Sequence, residues 1–337
     1  MAIAVVLLVI TLFVILLAAQ LFTNSVEWLG QKLGLNEGAV GSVLAAVGTA
    51  LPETMIPVIA ILFAASEASD EIGIGAILGA PFMLSTAAFA VTGIAVLLLA
   101  RGGQRSREMQ VDTKVLGRDM SYFLGVYVLA VGASFVPVDG IRFAIAFVLL
   151  GLYGFYVYRT VSGESAATET SDPLLLARLL RQPANQPTLN LTLLQFGLAL
   201  ALIIGAAYVF VENMETVADG IRVPALVLAL ILAPLATELP EKFNSIIWVR
   251  HGKDTLAMGN ISGAMVFQSC IPVSIGILFT PWELDEPALI SVGIALVSTA
   301  IVYLTMRRSG VLSAATLARA GILYLGFVTY VVVRQVI

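Results

Sequence analysis

Thr49-Ala50-Leu51-Pro52-Glu53 and Thr237-Glu238-Leu239-Pro240-Glu241 are near copies of one another. In each, a threonine stands four residues before a glutamate, the spacing that puts both side chains on one face of a helix. Each also has a proline inside that turn. Proline lacks an N–H and its ring clashes with the carbonyl four residues back, so Pro52 releases the carbonyl of Gly48 and Pro240 that of Ala236. A carboxylate, a hydroxyl and loosened main-chain oxygens are hard ligands. Two such segments facing each other make an all-oxygen cage for a cation such as calcium, which takes roughly six to eight oxygens with carboxylates among them. Two glutamates balance one divalent charge.

The surroundings of the motifs make this chemistry meaningful. The chain has 337 residues, 59% hydrophobic and 12% charged, with a mean hydropathy of +0.98. A soluble domain carries about twice that share of charge. Apolar runs long enough to cross a bilayer of roughly 30 Å recur along the whole sequence. The chain reads as an all-α polytopic membrane protein with ten transmembrane helices, near 2–23, 38–65, 72–100, 120–135, 140–160, 190–213, 223–249, 254–280, 287–306 and 312–336. Residues 1–20 have no basic start and no small-residue cleavage site, so they read as the first span rather than a signal peptide. A carboxylate inside a span is costly, and two in register make a chance placement hard to accept.

The spans fall into two groups of five. Residues 1–160 and 190–337 each hold one copy of the motif, and 161–189 form a linker rich in Ser, Thr and Pro at its ends. Within it, "SDPLLLARLLRQ" reads as a short interfacial helix with Asp172 as its cap. An odd number of spans per half makes the second copy enter from the opposite side, which is an inverted-topology repeat with its site near the midplane. The Gly-rich stretches "IGIGAILGAPFMLS" and "LAMGNISGAMVFQS" follow the two motifs in parallel. Arg101, Arg105, Arg107, Lys114, Arg118, Arg178, Arg181, Arg250, Lys253, Arg307 and Arg308 gather in loops on one side, while Glu67, Asp70, Glu71, Glu283, Asp285 and Glu286 gather on the other. The positive-inside rule places the basic loops in the cytoplasm and both termini outside.

Other classes find little support. There is no HExxH, no Gly-x-Gly-Asp and no Ser/His pair in the spans, so an intramembrane enzyme is not indicated. His251, the single histidine, sits in the polar break "RHGKD", and Cys270, the single cysteine, lies in an apolar run and reads as packing. No nucleotide-, phosphate- or nucleic-acid-binding pattern is present, so the expected partners are inorganic cations and the lipid bilayer, transport is secondary, and no cofactor is called for.

With these residues in place, the chain resembles the calcium/cation antiporters, the superfamily of sodium/calcium exchangers and cation/proton exchangers. The resemblance rests on the paired motifs and covers almost the whole chain. It implies a secondary active antiporter that exchanges calcium or a similar divalent cation for sodium or protons by alternating access, with spans 1 and 6 sliding over a core of spans 2, 3, 7 and 8. It carries acidic ligands onto Glu53 and Glu241, hydroxyl ligands onto Thr49 and Thr237, and carbonyl ligands onto Ala46 and Pro234. Gln268 matches a position that is often glutamine in the proton-coupled branch. Departures are also present: the serine of the usual Thr-Ser-Leu-Pro-Glu is Ala50 in one copy and Glu238 in the other, and span 3 has Ala80 and Leu84 where relatives carry polar ligands. Glu238 and Lys242 stand four apart in the favourable order for an ion pair. Lys242 then reads either as a tethered cation in place of a bound sodium or as one half of a self-neutralising pair. Two carboxylates that face each other without a metal repel, so taking up a proton as the metal leaves is chemically available. A proton-coupled exchanger of another cation, or a cation sensor that does not transport, are the competing functions.

Overall fold

The computed structural model describes residues 1–32, 45–64, 66–161, 172–183 and 186–336, apart from the side chains of 30, 31, 45–52, 67, 161, 236, 239–244, 335 and 336. Helices dominate. In chain order they are α1 (Ala2–Lys32), α2 (Ala45–Leu62), α3 (Glu67–Met83), α4 (Phe89–Arg101), α5 (Thr113–Gly132), α6 (Asp139–Val161), α7 (Leu175–Leu179), α8 (Leu189–Ile221), α9 (Ala225–Arg250), α10 (Asp254–Phe279), α11 (Glu286–Ser309) and α12 (Ala314–Val331). A π-helical turn, Leu84–Ala88, joins α3 to α4, so the two make one span. Among the described residues eight helical stretches are long and apolar enough to cross a membrane. The two motif helices contribute shorter described apolar stretches, Glu53–Leu62 in α2 and Ala225–Leu235 in α9.

Local chemistry sets the helix starts. Ser66 caps α3 by accepting from the Ser69 N–H, Asp112 caps α5 through Lys114 and Val115, Thr188 caps α8 through Leu191, and Asp285 caps α11 through Ala288. Gly310 ends α11 at a φ of 72°, in the left-handed region that glycine enters without a Cβ penalty. Several helices outrun the expected spans. α1 continues through Asn24, Ser25 and Glu27 to Lys32, α5 starts at Thr113 rather than 120, and α8 runs to Ile221 rather than 213. Hydropathy reports what lipid tolerates, whereas a helix persists past the lipid wherever its backbone bonds continue. Lys114 and Arg118, expected in a loop, therefore lie on α5.

The packing pairs helices from the two ends of the chain. α1 lies along α8, with Ala18, Phe22 and Val26 against Ala199 and Ile203. α3 packs on α9 and α2 on α10; α4 packs on α12 and α6 on α10; α5 packs on α10 and α11 on α3. The closest of these approaches is made by Gly75 and Gly79, whose Cα atoms face the Leu226 and Leu230 carbonyls of α9. Cys270 is fully buried in the main apolar core, as its sequence context implies, and His251 is exposed at the end of α9.

The linker is held down by side chains from α1 and α8. Gln195, buried in α8, donates to the Leu21 carbonyl (2.8 Å) and to Asn24 Oδ1 (2.9 Å), and its own Oε1 accepts from the Leu176 N–H (2.7 Å). Asn24 Oδ1 also accepts from the Leu175 N–H at 3.0 Å. Asp172 is not the cap expected of it. The helix starts at Leu175 with no side-chain cap, and the Asp172 carbonyl accepts instead from Asn24 Nδ2 and Trp28 Nε1. Two polar side chains inside α1 and α8 thus satisfy two open N–H groups at the start of α7, those of Leu175 and Leu176.

On the face with the basic loops, the connection from α4 to α5 is tied down as well. Glu108–Met109 pairs with Leu312–Ser313 as a two-residue antiparallel ladder, a small β element in an otherwise helical chain. Arg105 forms a bidentate pair with Asp254 at the start of α10 and also donates to the Val249 carbonyl at 2.9 Å. Asp254 accepts from the Gln110 N–H at 2.8 Å and is 2% exposed. Breaking one partner of a buried pair costs about 3 kcal/mol or more. Asp254→Asn is therefore expected to lower the thermal midpoint in detergent and to open residues 101–112 to proteolysis. An unchanged midpoint and digest would show that this tie adds nothing.

Candidate functional site

Two of the expected ligands, Glu53 and Gln268, meet where α2, α9 and α10 pack together. α2 presents Glu53, α9 presents Thr237 and Glu238, and α10 presents Gln268. All four side chains are buried, at 7%, 5%, 0% and 1% exposure. The Gln268 Nε2 donates to Glu53 Oε2 and lies 3.4 Å from Glu238 Oε1. One amide nitrogen therefore stands between carboxylates from two different helices. The Gln268 Oε1 has no hydrogen-bond partner among the described residues. The amide carries two N–H donors and one acceptor oxygen, so its donors hold the carboxylates and its oxygen is left beside them.

This arrangement suits a cation. Buried carboxylates are tolerated where they are hydrogen-bonded or paired with positive charge. The oxygens of Glu53, Glu238 and Gln268 form a hard donor set with no sulfur or imidazole, the set that suits calcium, magnesium or manganese. Among the described residues no three His, Cys, Asp or Glu side chains converge; the cluster is two carboxylates and an amide.

The other expected residues are placed as follows. Thr237 Oγ1 donates to the Ala233 carbonyl of its own helix at 3.2 Å, which leaves its oxygen lone pairs as acceptors. Pro234 is buried within α9 at the contact with Gly79. Having no N–H, it cannot bond the Leu230 carbonyl, the group that Gly79 faces. The side chains of Thr49, Ala46, Glu241 and Lys242 lie outside the described residues, and so does the expected pairing of Glu238 with Lys242. What is described of Glu238 is its position beside Gln268.

α10 and α3 differ at matched positions. Leu84, at the place in "GAPFMLS" that Gln268 takes in "GAMVFQS", is fully buried and apolar. The following serines behave alike: Ser85 Oγ donates to the Phe82 carbonyl and Ser269 Oγ to the Val266 carbonyl, each three residues back. One feature was open to a sequence reading and passed over. Pro272 stands four residues after Gln268, so the Gln268 carbonyl has no intrahelical donor at that position. Asp119 is a second buried acid outside the expected set. It accepts from Ser262 Oγ at 2.9 Å and Arg118 Nε at 3.1 Å, which ties α5 to α10 away from the Gln268 cluster.

Comparison with known proteins agrees in fold and sequence. The family described as sodium/calcium exchanger protein matches residues 3–161 and 191–335. The inner membrane protein YrbG of Escherichia coli is 28% identical over 292 residues, 86% of this chain and 83% of that one. The crystal structure of the H+/Ca2+ exchanger CAX superposes with a TM-score of 0.71 at 17% identity, covering 98% of this chain and 86% of that one. The sodium-calcium exchanger NCX_Mj superposes with a TM-score of 0.59 at 18% identity, covering 98% and 99%. At such identities the two structures speak for the fold.

Proposed function

This chain belongs to the sodium/calcium exchanger protein family, and on that premise we propose that it is a secondary active antiporter exchanging calcium, or a similar divalent cation, for sodium or protons by alternating access. The observation that carries this reading is the buried contact between Glu53 and Gln268, made by helices far apart in the chain. A carboxylate and a carboxamide in such a place are expensive unless they serve an ion. Structural relatives named as exchangers of calcium with protons and with sodium point to the same cargo and leave the counter-ion open.

In this reading ten membrane helices form two inverted five-helix repeats, residues 1–160 and 190–337, joined by the linker 161–189. Support comes from the packing: exchanging each helix of the first half with its counterpart in the second turns every pairing described above into another observed pairing, α3 on α9 into α10 on α2 and α4 on α12 into α10 on α6. Glu53, Glu241, Thr49, Thr237 and Gln268 then hold the ion through side chains, and Ala46 and Pro234 through main-chain carbonyls. α1 and α8, which pack along one another, move together over the core. The basic loops face the cytoplasm and both termini face outward.

Radiolabelled calcium uptake into proteoliposomes tests the reading, with a sodium gradient and a pH gradient imposed separately. Uptake under one gradient alone identifies the counter-ion. Absence of uptake under both, with manganese and strontium equally inert, would sink the antiporter and favour a sensor that binds without transport.

A further inference from the structure

We propose that Arg178, Leu179, Leu180 and Arg181, at the end of α7, form a contact surface for anionic phospholipid, the leucines entering the leaflet and the arginines holding headgroup phosphates. The segment is two-sided. Leu174 and Ala177 are fully buried, in a cluster with Trp28 of α1 and Leu191 of α8. Leu179 and Leu180 are 78% and 50% exposed. Arg178 and Arg181 are exposed beside them, and neither takes part in an ion pair among the described residues. Apolar side chains flanked by arginines are the pattern of a segment that lies in a bilayer interface. The position fits. The apolar spans Ala2–Leu29 and Leu189–Ile221 have their ends beside this segment, and Asn24, Trp28 and Gln195 fasten it there. The exposed apolar belt of α8 begins with Leu189, Leu193 and Leu194, around the buried Leu191. Leu179 and Leu180 thus continue a lipid-facing surface.

The backbone adds an independent observation. The Gln182 N–H donates to the Ala177 carbonyl at 2.8 Å and the Arg181 N–H to the Arg178 carbonyl at 3.2 Å. These paired bonds close a helix on a left-handed residue, a place usually given to glycine. Arg181 occupies it, at a φ of 54°. Glycine would adopt that conformation with less strain, so the turn does not account for the arginine. Strained residues of this kind gather at ligand contacts, and a planar guanidinium is suited to phosphate oxygens. Two arginines on the face with the basic loops select an anionic leaflet over a neutral one.

The experiment attaches an environment-sensitive fluorophore to the full-length protein carrying Leu179→Cys; Cys270 is buried and stays unlabelled. In bilayers of phosphatidylcholine mixed with phosphatidylglycerol, lipids bearing a nitroxide high on the acyl chain are expected to quench the label, and aqueous iodide is not. A label reached by iodide and not by nitroxide lipid overturns the contact surface. In mixed micelles, phosphatidylglycerol is titrated against the label's emission. Arg178→Gln combined with Arg181→Gln is expected to raise the half-maximal concentration about 30-fold, the effect of losing two basic contacts with an anionic surface. Arg178→Lys combined with Arg181→Lys keeps the charge and should keep the response. An equal response to phosphatidylcholine, or to inorganic phosphate, overturns the assignment to anionic lipid. Arg181→Gly separates fold from binding. It should hold or raise the thermal midpoint, because the turn suits glycine, while raising the half-maximal concentration about 5-fold. A lower thermal midpoint with an unchanged lipid response would show that Arg181 serves the fold and would remove it from the surface.

Discussion

Replacing Glu53 with glutamine is expected to abolish the proposed calcium exchange and to leave a folded protein. Glutamine matches glutamate in shape and keeps an acceptor oxygen for the Gln268 N–H, so the contact between α2 and α10 persists. What disappears is a full negative charge at a site that is 7% exposed. In such surroundings an ion loses about 3 kcal/mol or more with one charged partner, which is a fall in affinity of about 100-fold or more. Calcium uptake in proteoliposomes and calcium binding in detergent both read the effect, and gel filtration shows whether the fold is intact. Uptake within twofold of wild type would remove Glu53 from the transport site. The measurement separates charge from packing because the substitution changes only the former.

Gly79→Val is the second large effect, and it acts on the scaffold. Gly75 and Gly79 are four residues apart on α3 and let it approach the backbone of α9, as small residues do at helix contacts in membranes. A Cβ at Gly79 would collide with the Leu230 carbonyl and come within 2.7 Å of Pro234 Cγ. Backbone cannot swing aside as a long side chain would. Leu230 is also the residue whose carbonyl loses its intrahelical donor to Pro234, so the glycine lets α3 lie against a buried carbonyl that lacks its usual partner. Forcing the helices apart costs about 3 kcal/mol or more and displaces the helix that carries Thr237 and Glu238. The expected result is a marked drop in monodisperse yield and thermal midpoint, with transport lost even in the protein that survives. Gly125→Val, on α5 with no atom near its Cβ position, is the control and should behave as wild type. A Gly79→Val protein as stable as that control would mean that the helices separate without strain.

The sequence by itself determines the membrane class, because apolar runs of bilayer length have no other stable setting. It also determines that acidic residues fall inside those runs, and that a proline stands beside each, since these are facts of spacing within one helix. Residue types and intervals name Glu53, Thr237 and Gln268 as members of one cluster, the last through resemblance alone, and the fold brings Glu53 and Gln268 into contact. The extents of α1, α5 and α8 escape it, because hydropathy marks the lipid rather than the helix. Only the tertiary structure decides where Glu238 points. Along its own helix spacing points to Lys242, and it carries no sign of a glutamine 30 residues on. The same limit hides the clasp of Asn24 and Gln195 on the linker, 171 residues apart, and the pair of Arg105 and Asp254, 149 apart. Each depends on which faces of separate helices meet. That is set by close packing at places such as Gly79, where a missing side chain in one helix makes room for the backbone of another.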